Sequence, residues 1–311
     1  MVTAYWLQGG GCGGDTFSFL SSESPNVLDL FDALDVSLLW HPSLSNGTAA
    51  EHDTLLDEIL SKKRSLDILI FEGAAICGPD GSGRFDLKDG KPKISLIKDL
   101  AHVASYVVAV GTCASFGGFG AEKLIEAKGL QFTKKEKGGL LGKKFKSKSG
   151  LPVINLAGCP CHHDVISGAV SAIASGLSLE LDEYQRPLEW FNTTVHQGCT
   201  RNEYHEYRVE ESSFGEMGCL FFHMGCNGPL VPGPCNKVLW NQQSSKPRAG
   251  VPCFGCTDPE FPFQRPFFKT PNIEGVPISL PIGINRAHYL VYKTMAAAAA
   301  PEHLKKRTKK V

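Results

Sequence analysis

The first half of the chain alternates between short apolar runs and stretches with apolar residues at helical spacing. The apolar runs, which are rich in β-branched residues, predict strands at 3–7, 66–73, 105–111 and 151–158. The helical spacing predicts helices at 51–63, 94–104 and 164–176. Continuous apolar runs are typical of parallel strands buried on both faces. The alternation therefore predicts an α/β fold, with a flavodoxin-like open parallel sheet domain over residues 1–184.

From about residue 185 the helical periodicity fades, and Pro, Gly, Cys and aromatic residues become frequent, as in "MGCNGPLVPGPCNKVLW" and "GVPCFGCTDPEFPFQRP". A segment so poor in regular structure needs support beyond a conventional core, and bound metal can supply it. We therefore expect an irregular, Cys-rich domain over residues 185–311. The stretch 121–150 carries nine lysines and predicts a long surface insertion, a solvated loop or else a docking surface.

Composition and charge exclude several classes of protein. A chain of 311 residues with 42% hydrophobic residues is long enough to bury a sizeable core. Its formal net charge of zero argues against a nucleic-acid partner. No apolar run reaches the roughly 18 residues of a membrane-spanning helix, and no export signal precedes the first strand. We expect a cytoplasmic protein without a transmembrane segment, free or peripheral at the membrane.

Eleven cysteines are the most informative feature of the composition. A disulfide framework fits poorly, because the count is odd, the chain is large and no export signal is visible. Thiolates in a reducing compartment more often serve metal or redox chemistry. The cysteines therefore predict metal binding.

The first candidate site includes the stretch "LQGGGCGGDT", which resembles a phosphate-binding loop except that Asp15 stands where the lysine would be. Cys12, Cys113 and Cys159 each follow a predicted strand, so the sheet should bring them to one edge. Asp15 completes a C-x-x-D pair with Cys12, where a 4Fe–4S cluster would normally use C-x-x-C. The alternative is three ordinary turns that each contain a small buried cysteine.

The second half contains two further sets of candidate ligands. One combines a histidine with three cysteines, enough for a 4Fe–4S cluster: His196, Cys199, Cys219 and Cys226. The other has three cysteines, which suits a 3Fe–4S cluster: Cys235, Cys253 and Cys256. Zinc is the alternative metal for these residues, although zinc ribbons usually show paired C-x-x-C knuckles and only one C-x-x-C occurs here.

Other titratable residues receive weaker assignments. Glu72 lies at the end of a predicted strand and is a candidate interface or proton-path residue, with a solvated carboxylate as the equal alternative. Cys77 and Cys161 are interpreted as structural or second-layer thiols. Six histidines are interpreted as ordinary core or surface residues: His41, His102, His162, His163, His205 and His223.

With these motifs in hand, the chain resembles the small subunit of nickel–iron hydrogenases nearly end to end. The resemblance rests on "WLQGGGCGGDT", "FEGA", "GTCASFGG", "GLPVINLAGCP", "HQGCTRN", "GCLFFHMGCNGP", "GPCNKVLWN" and "GVPCFGCTDPEFPF", which occur in order at the expected separations.

The resemblance implies three iron–sulfur clusters, two 4Fe–4S and one 3Fe–4S. It assigns Cys12, Asp15, Cys113 and Cys159 to the proximal 4Fe–4S cluster. It assigns Cys235, Cys253 and Cys256 to the medial 3Fe–4S cluster, and His196, Cys199, Cys219 and Cys226 to the distal 4Fe–4S cluster. The nickel–iron centre, and with it the catalytic residues, would lie in the partner large subunit, because the paired C-x-x-C motifs that hold nickel are absent here. The implied partners are that large subunit, in a heterodimer or a dimer of heterodimers, and an acceptor protein or quinone-linked carrier.

The chain departs from the common family pattern at several positions. Asp15 replaces a cysteine, as in the soluble actinobacterial-type branch, which the chain resembles most in pattern. A carboxylate is a harder ligand than a thiolate, and we expect it to tune the proximal potential. Gly14 and Gly118 stand where oxygen-tolerant membrane-bound relatives carry two extra cysteines. The spacing from Cys219 to Cys226 is longer than in many relatives.

Three other functions compete with electron transfer in a hydrogenase. A hydrogen-sensing regulatory complex would use similar clusters with slow turnover. A quinone-oxidoreductase subunit would share the first half but not the two additional ligand sets. A zinc-stabilised interaction protein would be colourless.

Overall fold

The computed structural model describes residues 1–121, 123–273 and 276–308. The strands are β1 Val2–Gln8, β2 Val36–Trp40, β3 Ile68–Glu72, β4 Ala75–Ile76, β5 Leu87–Lys88, β6 Lys91–Pro92, β7 Tyr106–Val110, β8 Ala127–Lys128, β9 Phe132–Thr133, β10 Glu136–Lys137, β11 Ile154–Leu156, β12 Asn272–Ile273 and β13 Val276–Pro277. The α-helices are α1 Gly14–Leu20, α2 Val27–Ala33, α3 Ala49–Leu60, α4 Lys93–Val103, α5 Gly111–Phe116, α6 His163–Ala174, α7 Leu188–Phe191, α8 Asn202–Glu206, α9 Arg286–Ala298 and α10 Glu302–Lys305. Short 3-10 helices occur at Gly118–Gly120 and Gly228–Leu230.

The chain divides into two compact units. The first comprises Met1–Glu189 together with Thr257–Pro262, and the second comprises Trp190–Cys256 together with Phe263–Val311. The returning segment 257–262 is bound to the first unit by side chains: Lys134 Nζ donates to the carbonyl of Phe261 at 3.0 Å. Arg186 Nη1 donates to the carbonyl of Thr257 at 2.9 Å.

A five-stranded sheet forms the centre of the first unit, in the order β11-β7-β3-β1-β2. All four pairings are parallel. Every residue of β3 is buried, as expected for a strand covered on both faces. This is the flavodoxin-like strand order, so the predicted α/β class is confirmed.

The helices start where local sequence provides a cap. Thr48 and Glu51 form a reciprocal capping box at the start of α3, in which each side chain satisfies a backbone N–H of the other residue. Asn26 caps α2 by accepting from the amides of Leu28 and Asp29. These caps fix the residues at which the two helices begin.

The lysine-rich segment 121–150 is only partly a surface feature, so the prediction of a solvated loop is wrong. Leu130 and Phe132 are fully buried. Gln131 Nε2 donates to the carbonyl of Phe145 at 3.0 Å, and its Oε1 accepts from the amide of Val153 at 3.0 Å. The apolar residues between the lysines therefore attach this segment to the core, while the lysines lie around them.

The second unit has little regular structure and a small aromatic core. Phe221 and Phe222 pack with Cys219 and with Tyr289 from α9. Asn285 caps α9 by accepting from the amide of Ala287 at 2.9 Å. Among the described residues, we find no helix whose length and apolar character would let it cross a membrane.

Candidate iron–sulfur sites

The first candidate site lies at the carboxyl edge of the parallel sheet. Cys12 follows β1, Cys113 lies in α5 directly after β7, and Cys159 follows β11. Glu72 is the last residue of β3, which lies between β1 and β7. Because these strands are parallel, their carboxyl ends meet at one edge, where open α/β sheets bind ligands.

Two hydrogen bonds join the turns that carry Cys113 and Cys159. The amide of Thr112 donates to the carbonyl of Gly158 at 2.8 Å. In return, the amide of Gly158 donates to Thr112 Oγ1 at 3.0 Å. Each bonded residue directly precedes one of the cysteines, so this reciprocal pair sets the two cysteines at a fixed separation.

Asp15 enters the same site from the first turn of α1. Its Oδ1 accepts from the amide of Cys161 at 2.6 Å, which ties the start of α1 to the loop after β11. Its carboxylate occupies the space that a side chain at position 111 would need: a Cβ on Gly111 would lie 2.1 Å from Asp15 Oδ2. Gly111 also has a φ of +87°, a conformation that favours glycine.

The electrostatics of this site fit a cationic metal cluster. Burial, followed by the negative charges of Asp15 and Cys12, raises the pKa of the Cys113 thiol to about 11. Burial and then the charge of Glu72 raise the pKa of Asp15 to about 7, against the opposing hydrogen bond from Cys161. These groups repel one another when all are ionised, and bound iron would relieve that repulsion.

Glu72 anchors the loop that carries Cys12 and Asp15. Its side chain is 1% exposed, so the alternative of a solvated carboxylate is wrong. Its oxygens accept from Trp6 Nε1 at 3.0 Å and Gln8 Nε2 at 2.9 Å. They also accept from the amides of Asp15 and Thr16, each at 3.0 Å, and from the Thr16 hydroxyl. The carboxylate thus satisfies five donors around the start of α1.

A second candidate site is a cavity in the second unit. Four predicted ligands line this cavity: His196, Cys199, Cys219 and Cys226. Backbone amides point at the sulfurs, with the amide of Phe221 3.4 Å from Cys219 Sγ and the amide of Arg201 3.5 Å from Cys199 Sγ. Such N–H···S bonds stabilise thiolates that are bound to iron.

The thiols of this cavity are costly to ionise without a metal. Burial raises the pKa of Cys226 to about 11 and raises that of Cys199 as well. Burial raises the pKa of Cys219 strongly, and the charges of Cys226 and Cys199 add to the rise. The chemistry of the donor set therefore fits a buried metal cluster.

The third candidate set consists of Cys235, Cys253 and Cys256. Burial and then the charge of Cys256 raise the pKa of Cys235 to about 12. Burial raises the pKa of Cys253 well above its ordinary value, and the charges of Cys226, Cys256 and Cys235 contribute in that order. The three thiols therefore lie within electrostatic reach of one another.

The second and third sets are joined by one direct hydrogen bond. The amide of Cys253 donates to Cys226 Sγ across 3.4 Å. Asn227 also links the two segments, because its amide donates to the carbonyl of Cys253 at 2.8 Å. A continuous bonded route thus runs from one candidate ligand set to the other.

The spacing of the cysteine sets argues against single zinc ions. Four thiolates on one tetrahedral zinc lie roughly 4 Å apart. Within the described residues, the only group of three or more ligand atoms lying within 4.8 Å of one another belongs to His162, His163 and Asp164. Among the described residues, none of the three cysteine sets has three ligand atoms that close together, so the side chains as placed do not form a tetrahedral zinc site.

Two residues with contacts to these sites were not indicated by spacing in the sequence. Thr112 ties two turns together. His205 Nδ1 lies 3.4 Å from Cys219 Sγ, although its position suggested an ordinary histidine. The amide of Cys161, which was interpreted as a structural or second-layer residue, binds Asp15. Cys77, by contrast, is a core residue as predicted.

Two known protein families match the chain, one in each half. Residues 191–269 match the family that describes the C-terminal part of the NiFe/NiFeSe hydrogenase small subunit. Residues 12–173 match the family described as "NADH ubiquinone oxidoreductase, 20 Kd subunit". Over 299 residues the chain is 32% identical to the F420 non-reducing hydrogenase I small subunit of Methanosarcina mazei, covering 87% of this chain and 76% of that one. The chain belongs to the small-subunit family of nickel–iron hydrogenases.

Other hydrogenases are similar over most of the chain. The periplasmic [NiFe] hydrogenase small subunit 1 of Nitratidesulfovibrio vulgaris is 29% identical, covering 85% of this chain and 81% of that one. The solved structure of the actinobacterial-type NiFe-hydrogenase from Ralstonia eutropha H16 aligns with a TM-score of 0.79 and 26% identity, covering 98% of this chain and 88% of that one. This likeness supports the actinobacterial-type branch within the hydrogenase small subunits.

Proposed function

We propose that this hydrogenase small subunit relays electrons from hydrogen oxidised in a large subunit, through three iron–sulfur clusters, to an acceptor. The observation that carries the proposal is the hydrogen bond from the Cys253 amide to Cys226 Sγ. It places a residue of the third ligand set directly against a residue of the second, as neighbouring carriers of a relay require.

Each cluster is assigned to one ligand set of this chain. The proximal 4Fe–4S cluster is held by Cys12, Asp15, Cys113 and Cys159. The medial 3Fe–4S cluster is held by Cys235, Cys253 and Cys256. The distal 4Fe–4S cluster is held by His196, Cys199, Cys219 and Cys226. The clusters, when bound, supply one-electron carriers, and the chain itself contributes no catalytic residue.

The residues around the ligands prepare the sites for one-electron transfer. The thiols of the second and third sets are buried or half-buried, which limits their contact with water, whereas Cys12 is exposed. The amides of Phe221, Arg201 and Cys253 donate to sulfur. Glu72 fixes the proximal loop through its five donors. Since these contacts already exist in the polypeptide, few groups need to move when an electron arrives.

The partner we propose is a large subunit that carries the nickel–iron centre and covers the proximal site. Apolar side chains flank that site on the surface of the first unit: Phe17 is 72% exposed and Phe119 is 56% exposed. Phe119 lies next to Gly118, which contacts Cys113. Exposed apolar side chains close in sequence to candidate ligands suit an obligate partner. We also propose that two such heterodimers can pair, and that the electron acceptor is a protein or a quinone-linked carrier.

The location and domain division follow from the same proposal. None of the eleven cysteines, all of which lie in the described part of the chain, forms a disulfide. Such thiol-rich chains are typical of reducing compartments, which supports a cytoplasmic protein, free or peripheral at the membrane. We propose that residues 1–184 carry the proximal cluster and residues 185–311 the other two.

Metal analysis tests this proposal. The chain, tagged and purified anaerobically with whatever it binds, should contain about eleven cluster irons with matching sulfide. Nickel should be present at about one per small chain, contributed by the large subunit. Zinc without sulfide or nickel would contradict the proposal and return the chain to the structural-zinc class. Fast dye reduction under hydrogen would distinguish a catalytic complex from a hydrogen sensor. Nothing in the described residues favours the sensor.

A further inference from the structure

A buried histidine lies beside the candidate distal site without belonging to its ligand set. His205 lies in α8 and is 3% exposed. Its Nδ1 lies 3.4 Å from Cys219 Sγ, and its ring centroid lies 4.8 Å from that of His196. The side chain therefore contacts two of the four candidate ligands at once.

The chemistry of the two atoms settles which one donates. A cysteine sulfur bound to iron carries no proton, so it can only accept a hydrogen bond. The proton must then lie on His205 Nδ1. An imidazole with its proton on Nδ1 is a donor toward sulfur.

The ring of His205 is held firmly in this orientation. It stacks on Phe222, with centroids 5.7 Å apart, and meets the edge of Phe221 at 5.5 Å. Its backbone amide donates to the carbonyl of Arg201 at 2.9 Å, and its carbonyl accepts from Lys293 Nζ. With ring and backbone both fixed, Nδ1 has little freedom to turn away from the sulfur.

We propose that His205 is a positioning residue of the distal cluster, whose Nδ1–H donates to Cys219 Sγ and favours the reduced state. The inference rests on the proposed function, because it needs Cys219 to be a cluster ligand. Reduction places additional negative charge on the cluster sulfurs, so a donor binds the reduced state more strongly. The last carrier of the chain would then accept an electron more readily than it would without the histidine.

Substitutions at position 205 separate the donor from the ring. His205→Phe keeps an aromatic ring against Phe222 and removes the donor. His205→Asn removes the ring but places an amide N–H near the position of Nδ1. His205→Leu is a second variant without a donor, and His303→Phe repeats the substitution at an exposed histidine. In each variant the Phe221 amide still donates to Cys219 Sγ, so the site retains one N–H···S bond.

The measurement is a redox titration of the distal signal by electron paramagnetic resonance, on the complete heteromer, with iron and sulfide assayed in parallel. A hydrogen bond worth about 1 kcal/mol changes an equilibrium about fivefold. At a fixed ambient potential, His205→Phe and His205→Leu should therefore lower the ratio of reduced to oxidised distal cluster about fivefold. This corresponds to a midpoint potential that is lower by about 40 mV for a one-electron couple. His205→Asn and His303→Phe should stay near the wild-type ratio, and the proximal and medial signals should not move.

Each outcome decides the matter. Full cluster content with an unchanged distal ratio in His205→Phe overturns the inference and leaves the proposed function intact. Equal shifts in His205→Phe and His205→Asn assign the effect to ring packing and also overturn it. If His205→Phe and His205→Leu lose the distal cluster but His205→Asn keeps it, the donor is needed already for cluster assembly, which supports the inference. If all three variants lose the cluster, the inference is overturned. A wild-type heteromer without iron and sulfide would instead refute the proposed function.

Discussion

In the proposed proximal cluster, Asp15 would add an oxygen ligand beside three thiolates. A thiolate donates more charge to iron than a carboxylate does and so stabilises the oxidised state. We therefore predict that Asp15→Cys keeps its iron but lowers the midpoint potential of the proximal cluster. The medial and distal signals of the same sample serve as controls in a redox titration. An unchanged proximal potential would show that Asp15 does not tune this cluster.

Glu72 is predicted to matter through its charge and its five hydrogen bonds. Glu72→Gln keeps the shape but replaces one accepting oxygen with a donor, which leaves buried amides without partners. Each such group costs about 1–3 kcal/mol, so the thermal unfolding midpoint should fall and proximal iron should be lost more easily. Glu136→Gln changes an exposed glutamate of the same unit and should have no effect. Equal behaviour of the two variants would refute the anchoring role of Glu72.

At the scale of single residues, sequence spacing predicts the candidate ligands, which stay a prediction, but does not predict their neighbours. Cys12, Cys113 and Cys159 could be grouped because each follows a predicted strand. His205 could not be grouped in this way, because only the packing of α8 against Phe222 brings its ring to Cys219. The interpretation of Glu72 remained divided because burial cannot be deduced from a strand end.

At the scale of elements, the turn between β7 and α5 makes a sharp prediction. Gly111→Ala would place a Cβ 2.1 Å from Asp15 Oδ2 and should displace the carboxylate, with loss of the proximal cluster. The matched control is Gly176→Ala, where φ is +70° but no atom lies within 4 Å of the new Cβ. Both variants bear about 1–2 kcal/mol of left-handed backbone strain, so only contact with Asp15 distinguishes them. Iron assays that show equal cluster content in both would contradict the site geometry.

The elements of the first unit were largely predictable, and the exceptions have physical causes. The four predicted strands are buried on both faces, so their apolar runs stand out. Strand β2 was missed because it lies at the sheet edge and is mostly half-buried. In the segment 121–150 the lysines conceal Leu130 and Phe132, which are buried. In the second unit, periodicity predicts little because few residues lie in helices or strands.

At the scale of the whole molecule, the account requires a partner over the proximal site. Phe17→Asp places a charge in the exposed apolar patch and should reduce the nickel that copurifies with the chain by severalfold, because burying an unpaired carboxylate is costly. Leu177→Asp alters another exposed apolar residue of the first unit, 65% exposed, and should leave nickel unchanged. Equal nickel in both samples would place the large subunit on a different surface.

Hydrogen-driven reduction tests the central claim most directly. The anaerobic heteromer, oxidised and then exposed to hydrogen, should show the reduced signals of the two 4Fe–4S clusters by electron paramagnetic resonance, and the signal of the oxidised 3Fe–4S cluster should disappear. Cys253→Ala, which removes one medial ligand, should slow the appearance of the reduced distal signal while the proximal signal forms as before. A heteromer with full iron, sulfide and nickel whose distal cluster stays oxidised under hydrogen would contradict an electron relay through this chain.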